Sequence, residues 1–185
     1  MVKCAAFGVA IVFAVAFAVL AAGFASPVWV ARKINNDYSV GLISLCINDD
    51  CGRYDTLSDM QDATNDYVVA AAFLIGIAVI AVGFCVLISL VAIFSPRAIV
   101  ACYPLATLAI ILTVIGLLLV PAGLKDNAAI LFTCVSPGDT YELPDTCEAT
   151  TGLILTAVGL GLLLIAEMVL GCLDKKHIRE DGMYA

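Results

Sequence analysis

Apolar residues in this chain come in long unbroken blocks rather than in alternation. Four stretches, 4–31, 67–93, 98–124 and 149–173, hold a single charged side chain, Glu167. Each exceeds the roughly 20 residues that a helix needs to cross a hydrocarbon core of about 30 Å. In lipid no water is present to bond the backbone, so an isolated apolar run closes its hydrogen bonds internally, as a helix. The pattern predicts helices over about 5–27, 67–94, 102–124 and 151–173. Loops at 28–66 and 125–150 and a short link near 94–97 join them, and a polar tail follows at 174–185. The expected class is an all-α membrane protein, one domain over 1–185: a four-helix transmembrane bundle carrying a small extracellular β-sheet.

Composition agrees. Of the 185 residues, 63% are hydrophobic and 14% charged, against about half and a quarter in soluble domains. The first run has small residues at Gly23-Phe24-Ala25, as a signal-peptidase site does. Its apolar core is about twice the usual signal length of 7–15 residues, so a retained helix is expected. Ala6, Ala10, Ala14, Ala18 and Ala22 recur every fourth residue. That spacing predicts a small-residue face on which a neighbouring helix packs closely.

Four crossings put both termini on one side. Lys and Arg divide almost evenly between the sides, so the positive-inside bias is weak. The acids separate better, and each long loop is net −4. Cysteines decide the orientation. Cys46, Cys51, Cys134 and Cys147 all fall in the two loops, which reads as two disulfides facing an oxidising exterior. Cys4, Cys102 and Cys172 fall at the opposite boundary as lipidation candidates, or as small apolar filler. The termini are therefore expected to be cytoplasmic and the protein to lie in the plasma membrane.

The loops carry local signals. In Cys46-Ile47-Asn48-Asp49-Asp50-Cys51, a two-residue Asn48-Asp49 turn pairs Cys46 with Cys51. Strands over 40–47 and 50–54 then form a stapled hairpin. Ser58-Asp59-Met60-Gln61 fits a capping box, so the second helix is expected to begin near Ser58. Ser136-Pro137-Gly138-Asp139 predicts a turn between strands over 129–135 and 140–143, closed by Cys134 and Cys147. A cross-loop pairing stays open, because four cysteines allow three connectivities.

With these parts placed, the chain resembles the claudin, peripheral myelin protein and epithelial membrane protein superfamily. The resemblance rests on Trp29, then Gly41-Leu42, then Cys46 and Cys51, with Met60-Gln61-Asp62-Ala63-Thr64 and Pro121 adding to it. Ile43 stands where those proteins carry a second Trp. The resemblance implies that Cys46 and Cys51 staple an outer sheet and that Trp29 anchors it at the membrane surface. It also implies a junction or adhesion protein at cell–cell contacts, a homo-oligomer in cis and in trans that shapes a barrier or pore. The alternative it offers is an auxiliary subunit of a channel or receptor in the same membrane. An interfacial belt aromatic is the plainer reading of Trp29.

Other features are weaker. Glu167 sits about six residues from the inner end of its run, roughly 9 Å deep. An intramembrane acid signals a proton site, an ion site or a helix–helix bond, or more plainly a neutral carboxyl bonded in the bundle. Asp49 and Asp50, with Asp37, Asp55 and Asp59, can line a cation-favouring rim or merely solvate a face. Lys175-Lys176-His177-Ile178-Arg179 suits anionic lipid. Met183 and Ala185 loosely fit a ligand for a cytoplasmic PDZ scaffold. The single histidine, His177, and the lack of a metal-ligand cluster, phosphate loop or nucleophile–base pair argue against an enzyme, a metal or a cofactor. A thiol oxidase is the enzymatic rival, but such chemistry uses Cys-x-x-Cys, and here four residues separate Cys46 from Cys51. The acidic balance excludes nucleic acid.

Overall fold

In a computed structural model, residues 2–32, 38–47, 50–55, 66–126 and 147–181 are described. Four long helices dominate: α1 (Val2–Ala25), α2 (Asp66–Ala92), α3 (Cys102–Asp126) and α4 (Thr151–Asp181). A 3-10 turn over Pro96–Ala101 leads into α3. Each helix contains a span long and apolar enough to cross a membrane: Phe7–Ala25, Asp66–Ala92, Ala98–Ala122 and Thr151–Gly171. The chain is a four-span membrane protein.

The four helices form a ring. α2 packs most extensively on α3 and α1 on α4, α1 and α2 share a third contact, and the α3–α4 seam is the shallowest. Large apolar side chains, including Phe73, Ile80, Phe84, Leu87 and Met168, point outward. In water this would be an aggregation surface; in lipid it is the solvated one.

The expected alanine face of α1 is corrected by the fold. Ala10 is buried, but Ala14, Ala18 and Ala22 are exposed. A four-residue step overshoots one helical turn by about 40°, so the stripe drifts around the helix. The packed face is Val9, Phe13, Ala16 and Leu20, at alternating steps of four and three. Leu20 rests against Gly159 of α4, where an added Cβ would lie 2.5 Å from the Leu20 Cγ.

α4 also runs on to Asp181, past the expected end at 173. Hydropathy marks where lipid ends and not where a helix ends. Lys175, Lys176, Arg179 and Glu180 all have good helix propensity.

At one end of the bundle, short strands make a five-stranded antiparallel sheet. They are β1 (Val30–Arg32), β2 (Tyr38–Val40), β3 (Ser44–Ile47), β4 (Asp50–Arg53) and β5 (Cys147–Ala149), in the order β4-β3-β2-β1-β5. The strand expected over 40–47 is broken at Gly41-Leu42-Ile43. There the chain presses on the end of α1: an added Cβ on Gly41 would lie 2.6 Å from the Pro27 carbonyl oxygen. The Asn48-Asp49 turn, the helix start near Ser58, and the expected strands over 129–135 and 140–143 lie outside the described residues.

Candidate functional site

The sheet is fastened to the helices at one crowded point. Trp29 is 1% exposed, so it is a core residue and not a belt aromatic facing headgroups. Its indole N–H donates to the Gly23 carbonyl at 2.7 Å. That carbonyl belongs to the last turn of α1 and also accepts from the Ser26 N–H at 3.3 Å. The ring lies over Gly152 in the first turn of α4, where an added Cβ would meet the indole at 2.4 Å. The backbone N–H of Gly152 donates to Val28 and that of Thr150 donates to Trp29, both at 3.0 Å. The exposed donors starting α4 are thus satisfied by the segment leaving α1. Leu42, Val68, Ile75 and Val120 complete the apolar cluster around Trp29.

The first-loop hairpin has the expected register. Cys46 lies opposite Cys51 and Ile47 opposite Asp50. Cys46 is nearly buried, at 4% exposure, and disulfide-bonded. Cys147 opens β5 opposite Arg32, while Cys134 lies outside the described residues. So do Asp37, Asp49 and Asp59 of the expected acidic rim; Asp50 lies in β4 and Asp55 is exposed. Tyr54 packs beside the Trp29 cluster. Its hydroxyl is buried without a partner, and burial pushes the phenol up to about 12.

Within the membrane span, Glu167 is half-buried on α4. The hydroxyl of Thr107 on α3 donates to its carboxyl and also reaches the Tyr103 carbonyl at 3.0 Å. This polar link bridges the shallowest seam of the ring. The sequence marked Glu167 but not Thr107, whose hydroxyl reads as ordinary in an apolar helix.

Cys102 does not face the headgroups, as the lipidation reading required. It is fully buried and turned toward Cys85 of α2. Cys4 and Cys172 lie in α1 and α4. The tail residues Met183 and Ala185 lie outside the described residues. Among the described residues, no group of three or more His, Cys, Asp or Glu side chains is placed to hold a metal ion.

A family model described as lipoma HMGIC fusion partner-like protein matches residues 7–176. The chain belongs to the lipoma HMGIC fusion partner-like family. This match spans all four helices and both loops, and it overturns the resemblance to the claudin and peripheral myelin proteins. Trp29, Gly41, Leu42, Cys46 and Cys51 are too few to separate one tetraspan family from another. No curated protein matches the chain. Membership in this family supports a tetraspan membrane protein.

Proposed function

We propose that this family member is a non-catalytic auxiliary subunit, packing side by side with a channel or receptor in the plasma membrane. The observation that carries this reading is the side of α1 turned away from the bundle. Ala14, Ala18 and Ala22 are exposed there, and nothing stands within 4 Å of a Cβ added at Gly8. Helix association in lipid depends on such close backbone approach. Phe7, Ile11 and Val15 are exposed on the same side, so the small residues form gaps between larger side chains.

In this reading both termini are cytoplasmic and the sheet projects outside as a rigid cap, with Cys46 bonded to Cys51. Clamped at Trp29, the cap transmits a partner's contact directly to α1 and α4. The expected result is diffuse surface distribution with co-purification of a channel or receptor. Ala18→Leu should cut that recovery about tenfold or more, through lost close packing worth roughly 1–2 kcal/mol. Unchanged recovery of the same partner by the variant refutes the α1 face.

A second reading is favoured by the sheet itself. β4 is an edge strand with exposed Gly52 and Arg53, and an edge can add a strand from another molecule. Self-association through the cap would then support adhesion between cells. Clustering only where two expressing cells touch identifies this case, and Cys46→Ser should abolish it while the helices still insert.

A further inference from the structure

Three buried side chains meet where α2 passes the start of α3. Cys85, Ser89 and Cys102 are each 0% exposed. Each sulfur reaches the other residue's backbone: Cys85 Sγ is 3.7 Å from the Cys102 carbonyl oxygen, and Cys102 Sγ is 3.6 Å from that of Cys85. Ser89 Oγ lies 3.7 Å from Cys102 Sγ and donates to the Cys85 carbonyl at 2.5 Å. Both cysteines are free.

Filling space does not require this pairing. Alanines do that work around it, at Ala78, Ala81, Ala106 and Ala109. A soft monovalent metal ion held by two thiolates would leave a net negative charge among apolar neighbours, at high cost. Acylation needs access and room that a fully buried thiol lacks. A disulfide, by contrast, is neutral and removes two weak donors from a low-dielectric site.

We propose that Cys85 and Cys102 are a redox pair, and that hydrogen peroxide converts them to a disulfide tying α2 to the beginning of α3. Peroxide is small and uncharged, so it can reach a site within the bundle. Cys102, the thiol with the Ser89 hydroxyl beside it, attacks first. Its sulfur takes one oxygen as the O–O bond breaks, giving a sulfenic acid and one water. The Cys85 sulfur then attacks that sulfur; the S–S bond forms, the S–O bond breaks, and the second water leaves with the remaining thiol proton. The two sulfurs together lose two electrons and peroxide gains two. This inference does not depend on the partner proposed above. Its consequence is a locked α2–α3 hairpin at the end opposite the sheet.

The test uses the whole chain, purified without reductant. It is treated with hydrogen peroxide, unfolded, alkylated with N-ethylmaleimide, and cleaved after Arg97 so that the two cysteines fall on separate peptides. The expected product is a peptide pair joined through Cys85 and Cys102, released as two alkylatable thiols by a phosphine reductant. Full alkylation of both cysteines after peroxide overturns the proposal, as does separate oxidation of either one to a sulfinic acid. A second measurement reads the fold. Peroxide should raise the melting temperature in detergent by about 5 °C, and Cys85→Ala should lose that rise. A rise that persists in Cys85→Ala overturns the assignment.

Discussion

The two ends of the bundle hold together by different physics. At the sheet end, one large aromatic fills the centre, and hydrogen bonds from Trp29, Thr150 and Gly152 tie helix termini to strands. Toward the other end, alanines at Ala16, Ala78, Ala81, Ala106, Ala109 and Ala166 alternate with larger buried side chains, Phe13, Leu20, Leu163 and Leu170, and the buried hydroxyl of Ser89 turns back to its own helix. The difference follows from the solvent. Where chain leaves lipid, helix ends expose backbone donors and acceptors that need partners. Deep in lipid the backbone is already satisfied, and the gain comes from bringing helices close.

The comparison can be broken most strongly at Trp29. Trp29→Ala should cost about 3–5 kcal/mol through the lost ring and the cavity beside Gly152, read as a large drop in melting temperature and in surface delivery. A cost as small as that of an exposed substitution would mean that the sheet is not clamped there. At the opposite end, Ala106→Leu should cost about 1–3 kcal/mol by forcing α3 away from its neighbours. Here the sign is the informative part, since a larger apolar residue weakens the packing at a site where Ala106 is fully buried.

Smaller effects sharpen the contrast. Tyr54→Phe removes a buried hydroxyl without a partner and should stabilise the protein by about 1 kcal/mol near neutral pH. The wild-type phenol is raised from 10.0 to about 12 in the folded chain. The unfolded chain therefore loses that proton first, so this group's stability contribution is intact below about pH 10 and is lost as pH climbs through about 12. Melting curves across that window should be flatter for Tyr54→Phe. Thr107→Val, which deletes the hydroxyl bonded to Glu167, should cost about 0.6 kcal/mol, the usual scale for hydrogen bonds between membrane helices. An unchanged melting temperature would show that the α3–α4 seam does not draw on that link.

The helices were legible because lipid imposes one demand, a continuous apolar run, which hydropathy reports directly. Their ends were less so: α4 continues through Lys175 and Lys176 because helix propensity outlasts hydrophobicity. The pairing of Cys46 with Cys51 across a two-residue turn could be read locally. The pairing of Val30 with Ala149 could not, since these residues lie in different loops and neither strand exceeds three residues. The alanine stripe misled because a repeat of four is not the helical period. The contact between Cys85 and Cys102 has a signal in the sequence. Both lie equally far along the chain from the turn at Ile93-Phe94, as facing residues of a helical hairpin do. The functional residues of the sheet clamp were half visible: Trp29 stood out as the sole tryptophan, while Gly152 carried no mark at all.

The sheet order places β5, made last, against β1, made first. A ribosome must therefore finish most of the chain before β1 gains its second neighbour. Until residues 147–149 arrive, that strand presents bare amides and carbonyls. Arrival of the final strand closes this edge, so a half-built copy and a finished one differ in which backbone groups they leave unpaired.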